Sequence, residues 1–299
     1  RFLFENLPTG QYKVSITTPA GFIATLVGSG TSGTDSAAGT DTSINLPNDG
    51  DSDMTLDFGF YPVSVSVGNH VWLDSNGNGI QDSTESGIAG VTLTLTNADG
   101  SPVTDVVGNP VTTTKTDADG KYLFSNLPPG SYRVTVTPPS GFVPTVTGAG
   151  TDATDSSTGS ALSATLVNNL DSDLTLDFGF RLPRVSVGNY VWFDKDKDGI
   201  QDAGEKGISG VVLSIVKPDG SPVTDVFGNP VTTTTTDALG FYVFKNLPLG
   251  TYRVNIVAPA GYVATLSGEG SIDTDSSNQT ATSLNLTADG ASDMTLDFG

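Results

Sequence analysis

The residues with the clearest chemical potential form an acidic loop. Between Asp194 and Glu205, oxygen-bearing side chains occupy positions 1, 3, 5, 9 and 12, and Gly199 occupies position 6. This is the ligand spacing of the EF-hand calcium loop, in which position 7 contributes a backbone carbonyl and position 12 can bind through both carboxylate oxygens. The spacing therefore predicts a set of calcium ligands at Asp194, Asp196, Asp198, Ile200, Asp202 and Glu205.

The same spacing occurs 120 residues earlier, with Asn in place of Asp at two positions. The predicted ligands there are Asp74, Asn76, Asn78, Ile80, Asp82 and Glu85. Because this loop has three carboxylates and the later one has five, we expect the later loop to bind calcium more tightly. A surface turn that binds nothing is the alternative, but five carboxylates within twelve residues would repel one another without a cation.

A second group of acidic residues has a less specific pattern. Thr-Asp-Ser sequences occur at residues 34–36, 154–156 and 274–276, and each precedes an alternating segment that ends in Asp-Phe-Gly. One interpretation is a polar loop followed by a strand with a solvated face. The other is a second calcium site that uses Asp35, Asp155 and Asp275 together with Asp57, Asp177 and Asp297.

Both groups belong to a gapless repeat of 120 residues. Trp72 recurs as Trp192, and Leu-Pro pairs recur at residues 7, 127 and 247. Since 299/120 is about 2.5, we predict a C-terminal half copy at 1–62, a complete repeat at 63–182 and a further repeat at 183–299. The half copy lacks the tryptophan strand and the calcium loop, so we expect a longer repeat array, or strands supplied by another chain. Short connections with Pro62 and Pro183 limit bending, which favours a rod-like array.

Within one copy, apolar and polar residues alternate with a period of two, as in residues 54–60 and 252–256. This period is typical of β-strands, and Gly- and Pro-containing turns separate about eight such segments per copy. The pattern predicts an all-β fold of tandem Ig-like β-sandwich domains. The predicted strands of the last copy are residues 185–194, 211–217, 231–237, 241–245, 263–266, 283–287 and 293–299.

Composition and charge exclude several classes of function. The chain has 13 basic and 33 acidic residues, and a net charge of −20 repels nucleic acid and anionic membranes but favours cations. No apolar run of about 18 residues is present, so we expect no membrane insertion. There is no cysteine, and the one histidine, His70, is Tyr190 one repeat later. The usual nucleophile–base pairs are therefore missing, and we expect no enzyme activity.

Two motifs together resemble a known family. The sequence Asp-x-(Asp/Asn)-x-(Asp/Asn)-Gly-Ile-Gln-Asp follows Val-Gly-Asn-x-Val-Trp, and a second run extends from Thr236 to Val254. The combination resembles the B-type repeat domains of serine–aspartate-repeat (Sdr-like) bacterial surface adhesins. The second run is shared more widely with collagen-adhesin B-type and prealbumin-like sandwich domains. The resemblance implies extracellular, calcium-stabilised domains of a bacterial surface or secreted protein.

Two functions are compatible with these features. The first is a structural stalk, spacer or filament segment, whose partners are calcium, the neighbouring repeats and other copies in a filament or sheath. The alternative is an adhesive module that binds a host protein, a glycan or a surface ligand. Near-duplicate copies favour the spacer, because binding modules usually differ at their binding loops.

No lysine recurs at one place in two copies, so we expect no isopeptide bond of the kind found in related domains.

Overall fold

The computed structural model describes residues 1–28, 30–31, 34–37 and 39–299. These residues form β-strands and no helix, and hence no helix that could span a membrane. Their contacts divide them into two compact units. The first unit comprises Arg1–Val71, Ser86–Thr137 and Gly150–Phe178, and the second comprises Trp72–Glu85, Pro138–Ala149 and Gly179–Gly299.

The strands are short and numerous. The first 62 residues contain β1 (Lys13–Ser15), β2 (Phe22–Ala24), β3 (Thr40–Thr42) and β4 (Phe60–Pro62). Residues 63–182 contain β5 (Val65–Leu73), β6 (Thr92–Asn97), β7 (Val103–Thr104), β8 (Pro110–Val111), β9 (Thr113–Lys115), β10 (Lys121–Leu127), β11 (Tyr132–Val136), β12 (Val143–Pro144), β13 (Ser160–Leu162), β14 (Ser172–Asp173) and β15 (Phe178–Arg181). Residues 183–299 contain β16 (Val185–Tyr190), β17 (Trp192–Phe193), β18 (Lys206–Gly207), β19 (Val212–Val216), β20 (Val223–Thr224), β21 (Pro230–Val231), β22 (Thr233–Thr235), β23 (Phe241–Leu247), β24 (Arg253–Ile256), β25 (Thr280–Thr282) and β26 (Ser292–Asp293).

The second unit contains a two-sheet sandwich. One sheet has the order β23-β16-β26, in which β16 pairs antiparallel with β23 and parallel with β26. The other has the order β22-β19-β24-β25, and all of its pairs are antiparallel. Val187 and Phe244 from the first sheet share one buried core with Ile215 and Val254 from the second. A core shared by two facing sheets defines a β-sandwich.

The first unit contains the same pairings one repeat earlier. β10 pairs antiparallel and β14 parallel with β5, and a second sheet has the order β13-β11-β6-β9. Leu93 and Val134 of this second sheet are completely buried. In the first 62 residues β1 pairs with β3 and β2 with β4, and Phe4 is 61% exposed, against 3% for its repeat equivalent Phe124. The all-β, tandem-repeat fold predicted from the sequence is confirmed.

Several predicted strands are shorter than expected. The strand predicted at 185–194 is divided into β16 and β17, and residues 263–266 and 283–287 form no strand. The strand predicted at 293–299 is reduced to β26 and an isolated bridge at Phe298. The Asp293 carboxylate accepts hydrogen bonds from the amides of Thr295 and Leu284. An alternating sequence indicates which side chains are buried, but it does not show that the backbone pairs with a neighbouring strand. In this segment the Asp293 side chain accepts backbone hydrogen bonds that a neighbouring strand would otherwise accept.

The turn that precedes the Ser-Asp-x-Thr-Leu-Asp-Phe-Gly segment of each copy contains a residue in a left-handed backbone conformation. Glycine occupies this position in two copies, as Gly50 with φ 83° and Gly290 with φ 75°. In the middle copy it is Leu170, with φ 66° and a side chain that is 78% exposed. Because so exposed a side chain gains little from packing, the strain of this conformation is not offset there.

We expect Leu170→Gly to raise the free energy of unfolding by about 0.5–1 kcal/mol. A left-handed conformation costs a residue other than glycine about 1–2 kcal/mol, and the greater freedom of glycine in the unfolded chain offsets part of the gain. Urea denaturation at a fixed calcium concentration measures the change. Leu170→Ala keeps the β-carbon and should leave stability nearly unchanged; a loss of stability with Leu170→Gly would contradict this account.

Candidate metal centre

The acidic loop of the second sandwich is closed by a short ladder between β17 and β18. Trp192 pairs with Gly207 and Phe193 with Lys206, so the twelve residues 194–205 lie between two paired strands. Trp192 is completely buried, as is its repeat equivalent Trp72. The strand that leads into the loop is therefore anchored in the core. Strands thus flank the loop, and both tryptophans are core residues.

The first residue of this loop organises its backbone. Oδ1 of Asp194 accepts a hydrogen bond from the Lys197 amide (2.6 Å), and Oδ2 accepts one from the Gly199 amide (3.0 Å). The Thr265 hydroxyl also donates to Oδ2. Burial alone would raise the pKa of Asp194, but the hydrogen bonds from Thr265, Gly199 and Lys197 outweigh it and lower the pKa. The buried carboxylate is therefore charged near neutral pH.

Position 6 of the loop requires glycine for two independent reasons. Gly199 has φ 80°, in the left-handed region, and a β-carbon there would lie 2.7 Å from the backbone oxygen of Leu266. Its equivalent Gly79 has φ 77°, and a β-carbon would lie 2.5 Å from the backbone oxygen of Val146. The loop therefore packs closely against a neighbouring segment, which no larger residue at this position would permit.

Three carboxylates converge at the start of the later loop. One oxygen each from Asp194, Asp196 and Asp198 lie within 4.8 Å of one another. Desolvation and the negative charge of Asp198 raise the pKa of Asp196, which reflects the cost of placing these charges together. Hard oxygen ligands at this spacing suit a calcium ion, which would neutralise the repulsion.

The remaining predicted ligands lie in the same loop but outside this cluster. Oε1 of Glu205 accepts a hydrogen bond from the Lys195 amide (2.7 Å), and Oε2 accepts one from the Asp202 amide (3.2 Å). Ile200 forms an isolated antiparallel bridge with Asp275. The loop is thus closed by Glu205 at one end and attached to a distant segment at its centre.

The earlier loop has the same first-residue arrangement. Oδ1 of Asp74 accepts a hydrogen bond from the Gly77 amide (2.6 Å), and Oδ2 accepts one from the Gly79 amide (2.7 Å) and one from the Thr145 hydroxyl. The Ser75 amide donates to Oε1 of Glu85 (2.7 Å), which matches the bond from Lys195 to Glu205. The geometry of the loop therefore repeats with its sequence.

The two asparagines of the earlier loop change its electrostatics. The side-chain amides of Asn76 and Asn78 donate to the same oxygen of Asp82, at 2.7 and 3.0 Å. The amide of Ile80 donates to Oδ1 of Asn78 (2.7 Å). Neutral donors thus satisfy the Asp82 carboxylate, and asparagines replace two of the three carboxylates that converge in the later loop. This arrangement needs a cation less, and the order of affinities stays a prediction.

The interpretation of the second acidic group as a solvated strand face is wrong for the two later copies. Asp177 and Asp297 have no exposed surface, and Asp173 and Asp293 are also buried. Asp293 has hydrogen-bond partners, because Thr295 donates through its amide and hydroxyl to Oδ1 and Leu284 donates to Oδ2. Alternation identified one side of this segment as polar but could not show that the fold covers it.

Asp297 is buried without comparable partners. Neither of its carboxylate oxygens has a hydrogen-bond partner among the described residues, and burial raises its pKa to about 7. Asn189 and the Tyr190 amide lie near enough to lower the pKa, but neither makes a hydrogen bond of good geometry, and the charge of Asp275 raises it. Asp297 and Asp275 are therefore electrostatic neighbours, as the second-site hypothesis requires.

The segment around Asp275 connects the two predicted sites. Ser277 donates from its amide to the backbone oxygen of Asp297 (2.8 Å), and the Gln201 amide of the loop donates to the backbone oxygen of Thr274 (2.7 Å). The calcium-type loop and Asp297 thus both form backbone hydrogen bonds with one short segment, residues 274–277. The sequence carried no signal for this adjacency, because the segments are about 75 residues apart.

In the first unit, Asp177 has a similar environment. Its Oδ1 accepts a hydrogen bond from the His70 amide (3.1 Å), whereas Oδ2 has no hydrogen-bond partner among the described residues. Burial raises the pKa of Asp177 to about 7, and the charge of Asp155 contributes. His70 is itself buried, as a packing role predicts. In the first 62 residues Asp57 is exposed and Asp35 half-buried, so that pair is not enclosed.

Comparison with known proteins adds the family. The model of the SdrD B-like domain matches residues 65–180 and 185–299. The chain belongs to the SdrD B-like domain family. Over 300 residues it is 41% identical to serine-aspartate repeat-containing protein D of Staphylococcus aureus (strain Newman), covering all of this chain and 21% of that protein. It is 40% identical to serine-aspartate repeat-containing protein F of Staphylococcus epidermidis, over 91% of this chain and 15% of that protein.

The chain thus spans 15–21% of the length of these relatives. Among solved structures, the Bacillus anthracis TIE protein is similar over 98% of this chain and 41% of its own, with 18% identity and a TM-score of 0.49.

The sequence did not identify the threonine hydroxyl that donates to the first aspartate of each loop, Thr145 to Asp74 and Thr265 to Asp194. Its only signal is the 120-residue recurrence of Thr25, Thr145 and Thr265.

In metal-free protein, we expect thermal stability to fall as the pH rises from about 4 to 7. Folded Asp297 keeps its proton up to about pH 7, whereas the unfolded chain releases it near 3.8, so deprotonation favours unfolding over this range. Melting curves between pH 4 and 8 measure the slope. Asp297→Asn should flatten it in part, because Asp177 contributes equally, while exposed Asp152→Asn should not. A flat wild-type profile would overturn the assignment.

Proposed function

We propose that this chain is a structural segment of an extracellular bacterial surface or secreted protein, in which tandem sandwich domains are stiffened by calcium. The observation that carries the proposal is the convergence of Asp194, Asp196 and Asp198 at the start of a loop with EF-hand spacing. Membership of the SdrD B-like domain family and the staphylococcal relatives support an extracellular location. The near-duplicate copies favour a spacer with no catalytic role, whose partners are calcium and neighbouring repeats.

Calcium would act by relieving a repulsion that the fold itself creates. The hydrogen bonds to buried Asp194 curl the loop, and the curl places Asp196 and Asp198 beside it. A bound cation attracts all three charges and links the loop to the strands that close it. Ile200, Asp202 and Glu205 would complete a set of six oxygen ligands, within the usual range for calcium.

We also propose a second, weaker calcium site beside Asp297. An enclosed carboxylate without hydrogen-bond partners is costly when charged, and a cation held jointly with Asp275 would offset that cost. Asp177 and Asp155 form the equivalent pair in the first unit. Asp57 and Asp35 are the corresponding residues of the first 62 residues, where the greater exposure of Asp57 makes binding weaker.

Calcium should raise the melting temperature of the chain, because a ligand that binds only the folded state stabilises it by mass action. Differential scanning calorimetry in calcium and in chelator measures the shift. Asp196→Asn/Asp198→Asn, which gives the later loop the carboxylate count of the earlier one, should reduce the shift. Exposed Asp152→Asn, which removes one carboxylate outside the loops, is the control for a general effect of lost surface charge. Coincident melts in calcium and chelator would overturn the proposal.

The two loops should bind calcium with different affinities, the later loop about tenfold or more tightly, because it has more carboxylates. Calorimetric titration of the full chain should resolve the two loops as separate classes, both tighter than the proposed second sites. Asn76→Asp/Asn78→Asp should strengthen the weaker class, and Asp196→Asn/Asp198→Asn should weaken the stronger one. If Asn76→Asp/Asn78→Asp leaves both classes unchanged, the earlier loop is not a calcium site.

The second site predicts additional ions beyond the two loops. Equilibrium dialysis with radioactive calcium should count them, and Asp297→Asn and Asp177→Asn should each remove one weak ion while leaving the loop sites intact. Melting curves in chelator establish that each variant is folded, and Asn at either position removes the charge with little change in volume. A count of two ions that neither variant lowers would restrict binding to the loops.

A further inference from the structure

Residues 181–184 connect the two family-matched regions. The first of these residues, Arg181, forms a bidentate ion pair with Asp289. Nη1 of Arg181 donates to Oδ1 of Asp289 (2.9 Å) and Nη2 donates to Oδ2 (2.7 Å). Their side chains are 18% and 28% exposed. Two parallel hydrogen bonds between a planar guanidinium and a carboxylate are stronger and more directional than a single contact. All of these residues lie within the second unit.

Asp289 also holds the other end of the segment. Its Oδ1 accepts a hydrogen bond from the Arg184 amide (2.9 Å), and the Gly290 amide donates to the backbone oxygen of Arg184 (2.8 Å). Arg181 lowers the pKa of Asp289, so the carboxylate stays charged well below neutral pH. The Asp289 carboxylate therefore binds the side chain of Arg181, the first residue of the segment, and the backbone amide of Arg184, its last residue. Pro183 lies between them.

The preceding connection, residues 61–64, retains only the backbone part of this arrangement. The Ser64 amide donates to Oδ1 of Asn169 (3.1 Å), and the Leu170 amide donates to the backbone oxygen of Ser64 (2.8 Å). Tyr61 stands where Arg181 stands one repeat later, and neutral Asn169 stands for Asp289. The ion pair is thus an addition to a shared hydrogen-bond pattern.

We propose that the Arg181–Asp289 pair is a clamp that holds the 181–184 segment closed and makes its opening sensitive to ionic strength. The paired geometry and partial burial favour closure, while salt screens the attraction as it does for any solvent-accessible pair. The 61–64 segment has no such charge pair at the equivalent positions, so its opening is insensitive to salt. None of the proposed calcium ligands hydrogen-bonds to the pair, but Asp74 of the earlier loop lines the same cavity as Arg181, so the clamp is tested at a constant, saturating calcium concentration.

The decisive variant is Asp289→Asn, which keeps an oxygen for the Arg184 amide, as Asn169 does for Ser64, but removes the charge. Trypsin cleavage after Arg184, followed by mass spectrometry in saturating calcium, reports opening of the segment and leaves the cleavage site intact. We expect cleavage about two- to fivefold faster than in wild type, the range for a partly exposed pair. Asp152→Asn, with the same change in net charge, should cleave at the wild-type rate.

Salt and a double-mutant cycle complete the test. Raising NaCl to about 1 M should accelerate wild-type cleavage toward the Asp289→Asn rate and leave the variant unchanged, after normalisation to cleavage after Lys245. Arg181→Gln should act like Asp289→Asn, and the double variant should be no faster than either single one. Wild-type rates in both single variants, or additive effects in the double variant, would overturn the clamp. Arg181→Gln decides the question even if Asp289→Asn lowers global stability.

Discussion

The geometry of each acidic loop depends on one buried carboxylate at its first position. A charge removed from water must be satisfied by hydrogen bonds, and Asp194 obtains them from two amides of its own loop and from the Thr265 hydroxyl. Meeting this requirement bends the backbone so tightly that only glycine fits at position 199. The bend then brings Asp196 and Asp198 together, so the repulsion between them is a consequence of the fold.

The buried aspartates of the later strands serve two different purposes. Asp293 receives hydrogen bonds at both oxygens and replaces part of a strand ladder, so its burial stabilises the segment. Asp297, four residues away, is equally buried but lacks such partners, and its pKa is raised to about 7. The fold thus keeps one carboxylate whose burial lowers stability whenever it is charged. This exception is the reason for the proposal that Asp297 is a cation ligand.

Repetition has preserved the backbone of this chain while its electrostatics differ between copies. The earlier loop keeps the hydrogen bonds of Asp74 but replaces two aspartates by asparagines, which bind Asp82. The two connections keep the same backbone hydrogen bonds, yet only the later one carries the Arg181–Asp289 pair. These changes lie at positions with access to solvent, where charge can vary without disturbing the shared core.

The sequence alone determined the features that depend on local spacing. Alternation indicated β-strands, the 120-residue period indicated a repeated topology, and the loop spacing brought Asp194, Asp196 and Asp198 together, because residues two apart in a tight turn must be neighbours. Tertiary structure alone decided what covers each segment: Asp297 is enclosed, and Arg181 meets Asp289 across 108 residues. Periodicity states which side of a strand is polar, but burial and long-range pairing depend on which other part of the chain packs against that side.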